Sequence, residues 1–192
     1  AIFGGGGTVS TADTRIGSLA ISQSTYGIAI PVVFGTARIA GNMIDYIDFT
    51  AIPHTTTTHS GGKGGGGVTS SHTTYTYEVG AIFALCEGPV AGVGRVWKNK
   101  EVHGSPTALR MSVYTGVPAQ APWPWMAGKH PERALSYPET CYVASPNLEL
   151  SGSASLPSFN YEVAGRDIAP GKQDAAPISI IRGILSDAQI GV

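Results

Sequence analysis

Hydrophobic and polar positions alternate most clearly between Thr74 and Cys86 of this 192-residue chain. One face of the alternation is apolar or aromatic and consists of Tyr75, Tyr77, Val79, Ala81, Phe83 and Leu85. The intervening positions are polar at first, until Ile82 and Ala84 make both faces apolar. This period of two predicts a strand that starts half-exposed and ends buried on both faces.

A first long strand is predicted from Met43 to about Thr58, since this stretch is rich in Ile, Tyr, Phe and Thr. Between the two strands lies Gly61–Gly67, in which only Lys63 has a side chain. Such a run cannot pack a core and predicts the tip of a β-hairpin over residues 43–86. The outer hairpin is Thr, Ser and His, so we expect a projecting polar arm that contacts another surface.

Shorter apolar pieces predict strands at residues 16–24, within 24–44, and at 94–102, 109–114, 140–144 and 159–163. Residues 120–131 are interpreted as a Pro- and Trp-rich loop. Helical spacing appears only at the end, where Pro177 suits a first turn and the apolar residues Ile178, Ile181 and Leu185 follow. The predicted fold is mainly β with a short C-terminal helix.

This pattern divides the chain into an extended N-terminal arm (residues 1–15), a β-rich region (residues 16–173) and a terminal helix (residues 174–192). The helix can lead into further domains, and an end so soon after it suggests part of a longer protein. We expect the N-terminal arm to be extended or anchored on a neighbouring molecule.

The low content of charged residues bears on the class of protein. Charged residues make up only 13% of the chain, about half the usual share. A surface this poor in charge suits a subunit that is largely covered in an assembly. The formal net charge of -1 gives no electrostatic reason to bind nucleic acid or an anionic membrane. The longest apolar runs are too short to span a membrane, and no signal peptide is recognisable.

The two cysteines, Cys86 and Cys141, lack the spacing of a zinc site and are too few for a disulfide-dense secreted module. Each falls in an apolar, strand-like run. We interpret them as buried free thiols, with a single disulfide as the alternative.

A nucleotide site is the first chemical possibility, because residues 62–67 match the pattern GxGxxG in form. That pattern binds phosphates when a buried strand precedes it and a helix follows. Here the preceding strand is polar and a strand follows, so a hairpin tip is the better interpretation.

A metal site is the second possibility, because His54, His59 and His72 lie on the predicted hairpin. With the tip centred near residue 65, His59 and His72 would face each other across the strands. A third ligand is not evident. Solvated histidines on a polar arm are therefore favoured, and no metal or cofactor is predicted.

Paired carboxylates are the third possibility, as Asp45 with Asp48 or Glu132 with Glu139. By strand parity Asp45 and Asp48 fall on opposite faces, and nothing places the two glutamates together. No nucleophile elbow and no Cys–His arrangement is recognisable. We therefore predict no catalytic centre.

Trp123 and Trp125 alternate with two prolines and could stack on a sugar or a peptide. Aromatic side chains are also common anchors of protein interfaces, which suits a subunit of low charge better. The predicted interface residues are Lys63, His59, His72, Tyr75, Tyr77, Trp123 and Trp125.

An ordered series of motifs resembles one protein family. It begins with Ile-Pro-Val-Val-Phe-Gly-Thr and Arg-Ile-Ala-Gly-Asn-Met-Ile over residues 30–44, followed by the glycine-rich tip and Thr-Tyr-Thr-Tyr. Ala-Leu-Cys-Glu-Gly-Pro-Val starts at Ala84, and Leu-Pro-Ser-Phe-Asn-Tyr-Glu-Val starts at Leu156. Together these resemble the N-terminal region of the central tail-tip, or baseplate hub, proteins of long-tailed bacteriophages and gene transfer agents.

The resemblance implies β-barrel-like hub domains and a structural role. It implies three copies around the tail axis that close the distal end of the tail tube and carry the adsorption apparatus. The implied partners are other copies, neighbouring tail-tip and distal tail proteins, and fibres. The implied location is the virion, assembled in the host cytoplasm. The alternative is a carbohydrate- or receptor-binding β-domain with Trp123 and Trp125 as its platform. A cell-wall-degrading enzyme is a further class, for which the residues predict no active site.

Overall fold

The computed structural model describes residues 7–20, 27–61, 67–166 and 174–186, and within these ranges the chain is mainly β. One sheet has five strands, which are β1 (Thr8–Ala12), β3 (Asn42–Ser60), β4 (Val68–Glu87), β7 (Ser112–Tyr114) and β8 (Thr140–Ser151). The second sheet has four, which are β2 (Thr36–Ala40), β5 (Gly92–Lys98), β6 (Glu101–His103) and β9 (Phe159–Ala164). Mainly β structure with a short C-terminal helix is therefore confirmed.

Strand β4 organises the first sheet. Along one edge it pairs antiparallel with β3 from Val68 to Ala84. Along the other edge it pairs first with β1, in parallel through Thr69–Thr73, and then antiparallel with β8 from Tyr77 onward. The strand thus crosses from a polar outer half into the body of the protein. In the second sheet the order is β2-β9-β5-β6.

The main core lies between the two sheets. Phe83 of β4 contacts Phe159 and Tyr161 of β9 ring to ring, and all three are fully buried. Val79 and Val96 are at most 1% exposed in the same cluster. Burial of each such side chain contributes about 1.5–3 kcal/mol. The alternating face of β4 therefore packs as predicted.

A smaller cluster covers the opposite face of β4 and β8, where Ile82, Tyr142 and Ala144 pack under Trp123 and Met126. Residues 120–131 are thus not only a loop, since they contain the helix α1 (Pro124–Lys129), which Pro124 starts. Its six residues are too few to show a helical repeat, which explains the wrong prediction.

Both hairpin strands are longer than predicted, and some other strands are shorter. Within the described part of residues 24–44, the strand Thr36–Ala40 precedes the start of β3 at Asn42. Within 109–114 the strand is Ser112–Tyr114, after a 3-10 turn at Pro106–Leu109. The predicted strand at 16–24 shows a single bridge, from Ala20 to Ser155, before residues 21–26, which lie outside the described part.

The C-terminal helix α2 covers Pro177–Ser186, starting three residues later than predicted. Its predicted apolar side chains Ile178, Ile181 and Leu185 are all exposed. Neither α1 nor α2, the two α-helices among the described residues, has the length and hydropathy needed to cross a membrane.

Candidate assembly surface

We use the term arm for the outer part of the first sheet, formed by β1, Pro53–Ser60 of β3 and Val68–Thr74 of β4. All residues of β1 and of Pro53–Ser60 are exposed. In the arm part of β4, exposed and half-buried residues alternate. The arm has no hydrophobic core of its own. The predicted N-terminal extension thus pairs, in its described part, with the chain's own hairpin.

Backbone hydrogen bonds show which edges of the arm are open. The Thr69 N–H donates to the Gly7 carbonyl at 3.1 Å, and the Asp13 N–H donates to the Thr73 carbonyl at 2.9 Å. Odd-numbered residues of β4 therefore point their backbone groups at β1. Because these groups alternate in direction along a strand, the even-numbered residues point at β3.

The same alternation fixes the outer edge of β3. In this antiparallel pair His54 is opposite Thr74 and Thr56 is opposite His72, so even residues of β3 bond to β4. The N–H and C=O groups of Thr55, Thr57 and His59 therefore face outward, and no described strand pairs with them. The backbone of Pro53 also faces outward. Its missing N–H therefore removes no hydrogen bond between β3 and β4.

Beyond Pro53, at the base of the arm, both described edges of the arm lack the charged side chains and bulges that usually block pairing. On the other edge, the backbone N–H and C=O groups of Thr8, Ser10 and Ala12 of β1 point away from β4. Between His54 and Ser60, and along β1, there is no Lys, Arg, Asp or Glu side chain. Soluble proteins commonly protect edge strands with charge, bulges or a covering segment. From Thr55 to Ser60 and along β1, the arm presents regular edges that no other described strand covers.

Side chains of the arm form a polar ladder. Thr55 and Thr73 share a hydrogen bond of 2.8 Å between their hydroxyls, and His59 Nδ1 lies 3.0 Å from the Thr69 hydroxyl. On the other face His72 Nδ1 lies 3.0 Å from the Thr11 hydroxyl, and His72 Nε2 lies 3.4 Å from Asp13. These contacts hold β1 and β3 on β4.

The expected pairing of His59 with His72 is wrong. His59 is opposite Thr69 and His72 is opposite Thr56, so the two histidines are on opposite faces of the strand pair. The glycine-rich sequence between the two strands carries no turn signal from which the register can be predicted, which explains the difference. Among the described residues no three His, Cys, Asp or Glu side chains gather as potential metal ligands.

Two of the predicted interface residues are buried within the chain itself, which corrects their assignment to the surface. Tyr77 is 2% exposed, its ring stacks on Phe49 and its hydroxyl accepts the Ile16 N–H at 2.8 Å. Trp123 is 4% exposed and stacks on Trp125 with 4.7 Å between ring centroids.

Of the remaining predicted residues, His59 and His72 are exposed on the arm and Tyr75 is half-buried at its base. Trp125 is half-buried, and Lys129 lies 5.7 Å from its ring. Lys63 lies outside the described residues. The structure thus brings His59 and His72 onto one arm and puts Trp125 on a separate surface.

Asp45 and Asp48 do not point to opposite faces, because β3 is irregular between Met43 and Asp45 and again between Ile47 and Thr50. Asp48 has a positive φ of 55° at the second irregularity. Its carboxylate lies 3.0 Å from His130, and the Asp45 carboxylate accepts a hydrogen bond from Arg133. Both carboxylates therefore fasten one segment, just after α1, to β3. β-Bulges redirect side chains in this way, and parity alone cannot reveal them.

A charged and aromatic cluster on the second sheet was missed by sequence reasoning. The Arg38 guanidinium lies 4.2 Å from the Trp97 ring centroid, and Arg95 lies 5.4 Å from it. The hydrogen bond between Arg95 and Glu162 lowers the pKa of the Glu162 carboxyl and raises the pKa of the Arg95 guanidinium. The alternation of Arg95 and Trp97 along one short strand was the available signal, although pairing with β9 could not be inferred from it.

No protein-family model and no curated protein matches the chain. The fold is similar to a chain in the solved structure of the virion of the native gene transfer agent (GTA) particle. The TM-score is 0.56 and the sequences are 26% identical. The similarity covers 92% of this chain and 35% of that chain, so this chain spans about a third of its length.

Proposed function

We propose that the chain is a structural protein of a phage-like virion and forms the hub of its tail tip. In this role three copies surround the tail axis, close the distal end of the tail tube and carry the adsorption apparatus. Similarity to a virion chain over 92% of the sequence supports the structural role. The motif series over residues 30–163 supports the more specific position in the tail tip.

The observation that carries the proposal is the arm, whose two outer edges are paired with no other described strand. A strand edge with free N–H and C=O groups can accept a strand from a partner, which is β-augmentation. The proposed partners are neighbouring copies of the chain and adjacent tail-tip proteins. The chain would be assembled into particles in the host cytoplasm. Its contribution is geometric, through strand pairing, rather than catalytic.

The proposal is tested with Thr57→Pro, because the Thr57 N–H faces away from β4. Proline removes this outward donor and leaves the β3–β4 ladder intact. We expect the variant chain to fold with unchanged circular dichroism and melting temperature. When it replaces the wild-type chain during particle production, we expect at least a tenfold loss of complete particles, counted by electron microscopy.

Thr57→Ala is the matched control, because it also removes the hydroxyl but keeps the N–H, and it should leave particle numbers unchanged. Thr56→Pro removes a donor that faces β4, so it should destabilise the hairpin itself. Normal particle numbers with Thr57→Pro would contradict augmentation of this edge.

A receptor- or carbohydrate-binding role is the second candidate, favoured by a cavity of about 440 Å³ beside Trp125. Asp48, Glu78 and Asn147 supply polar groups to its wall, and Trp125 supplies an aromatic edge. Trp123 is buried behind Trp125 and cannot be a platform. If binding at this cavity were the main function, Thr57→Pro would leave it unaffected.

A further inference from the structure

The two cysteines are directly opposite each other in neighbouring strands. Cys86 of β4 is paired in register with Cys141 of β8, next to an irregularity after Ala84. Both thiols are free, and both residues are fully buried. Cα atoms of directly opposite residues in antiparallel strands are about 4.5–5.5 Å apart, which is within the range that a disulfide spans.

The surroundings of the two thiols make them chemically unequal. A hydrogen bond from Cys141 lowers the pKa of Cys86, and the nearby Arg166 guanidinium acts in the same direction, whereas burial and the Glu87 carboxylate act against them. The hydrogen bond and burial raise the pKa of Cys141. Arg166 is held beside Cys86 because it donates to the Glu87 carboxylate at 2.8 Å and to the Gly88 carbonyl at 2.6 Å. Because this guanidinium lies on the Cys86 side of the pair, where a cation favours a thiolate, we assign the first attack to Cys86.

We propose that Cys86 and Cys141 are a site of intrachain disulfide formation, closed by a small-molecule disulfide such as oxidised glutathione. The Cys86 thiolate attacks one sulfur of the oxidant and releases one glutathione thiolate. Cys141 then loses its proton to solvent and attacks the Cys86 sulfur, releasing the second. The two thiols lose two protons and two electrons, and the oxidant is reduced to two thiols.

Burial sets the rate of this reaction but does not prevent it. The oxidant reaches Cys86 only when the β4–β8 pair opens locally, so oxidation of the folded chain is slow. The second step is intramolecular and needs no further encounter, because Cys141 already lies opposite. The disulfide joins the C-terminal end of β4 to the start of β8. It closes a covalent loop that runs from residue 86 to residue 141. This proposal does not depend on the assembly role proposed above.

The test uses the purified full chain with its cysteines reduced. The chain is incubated with oxidised glutathione, then denatured in an alkylating reagent, and its intact mass and peptides are measured. We expect loss of both alkylation sites, a mass lower by two hydrogens, and one peptide pair joined through Cys86 and Cys141. The oxidised chain should melt about 5–10 °C higher than the reduced chain.

Cys86→Ser and Cys141→Ser are the matched variants, and each should stop at a glutathione adduct or remain reduced. A parallel sample of folded wild-type chain is treated with the alkylating reagent alone, in mild urea, to show that local opening exposes the thiols. Wild-type chain that exposes its thiols but yields only adducts, intermolecular dimers or reduced cysteines would overturn the proposal.

Discussion

The Tyr142 side chain packs its ring well but leaves its buried hydroxyl without a hydrogen bond in the described part of the chain. Its ring is fully buried, stacks on Tyr114 with 4.4 Å between centroids and meets Tyr137 edge-on. Its hydroxyl, however, has no hydrogen-bond partner among the described residues. A buried hydroxyl without a partner costs about 1–3 kcal/mol. The stability of this cluster therefore comes from the ring and not from the hydroxyl.

Tyr142→Phe should stabilise the chain. It keeps the ring and removes the unpaired hydroxyl, so we expect the free energy of unfolding to rise by about 1 kcal/mol in urea titrations at neutral pH. Tyr142→Ala is the contrasting variant and should lose about 3–5 kcal/mol, because the ring is lost. A decrease in stability with Tyr142→Phe would reveal a partner for the hydroxyl.

The same substitution should change the response to alkaline pH. Burial, and then Tyr114 and Tyr137, raise the pKa of Tyr142 above its ordinary value of 10.0. As the pH rises, the Tyr142 hydroxyl of the unfolded chain therefore loses its proton before that of the folded chain does. The stability that comes from this difference in pKa is fully present below pH 10 and is lost as the pH rises through the pKa of the folded chain. Tyr142→Phe should reduce the loss of stability measured above pH 10.

At this scale the sequence predicted burial well where alternation is regular, as at Val79 and Phe83. It failed for Tyr77 and Trp123, because aromatic side chains suit both a core and an interface. Whether such a residue is buried depends on which segment covers it. That information comes from tertiary packing of α1 and of residues 16–20, not from local pattern.

Among the elements, the arm consists of long strand segments without a hydrophobic core of their own. Its side chains pair through hydroxyl and imidazole contacts, which contribute little in water. Isolated two-stranded hairpins are only marginally stable. The parallel addition of β1 and the continuity of β4 with the buried sheet stabilise the arm beyond an isolated hairpin.

Removing the hairpin part of the arm, and with it the segment of β4 that β1 pairs with, should leave the body folded. Because His54 is opposite Thr74, residues 55–73 can be replaced by Asn-Gly, which forms a tight hairpin turn. We expect a soluble chain whose melting temperature changes by only about 5 °C, because Pro53–Ser60 buries no side chain. Assembly into particles should be lost.

The control for this deletion replaces only Gly61–Gly67 by Asn-Gly, since Ser60 is opposite Val68. It shortens the tip and keeps both edges, so particle assembly should persist. An insoluble arm-deleted chain would mean that the arm contributes to folding of the body.

The elements that could be predicted are those with a strong local pattern of hydrophobic, β-favouring or glycine residues. The hairpin followed from long runs of β-favouring residues around a glycine tip, and α2 from its apolar spacing. The bulges at Asp45 and Asp48, the register of the tip and the pairing of β1 with β4 depend on contacts distant in sequence. Local patterns do not encode such contacts, and α1 is too short for any repeat.

For the whole molecule, copy number and position are the decisive properties of the proposed role. We expect a trimer when the purified chain is weighed in solution by sedimentation, and density for the chain at the distal end of the tail in electron micrographs of particles. A monomer at all concentrations together with absence from particles would contradict the hub. Location elsewhere in the particle would retain only the structural role.

The length of β4 has a mechanical consequence. Twenty residues in one strand, about 65 Å when extended, run without interruption from the open arm to the centre of the body. A pull on the arm along this strand loads many β4–β8 hydrogen bonds together, in shear, instead of breaking them one after another as in an opening zipper. Tension on the arm would therefore be carried into the buried core around Phe83, and the body would resist extraction as a single unit.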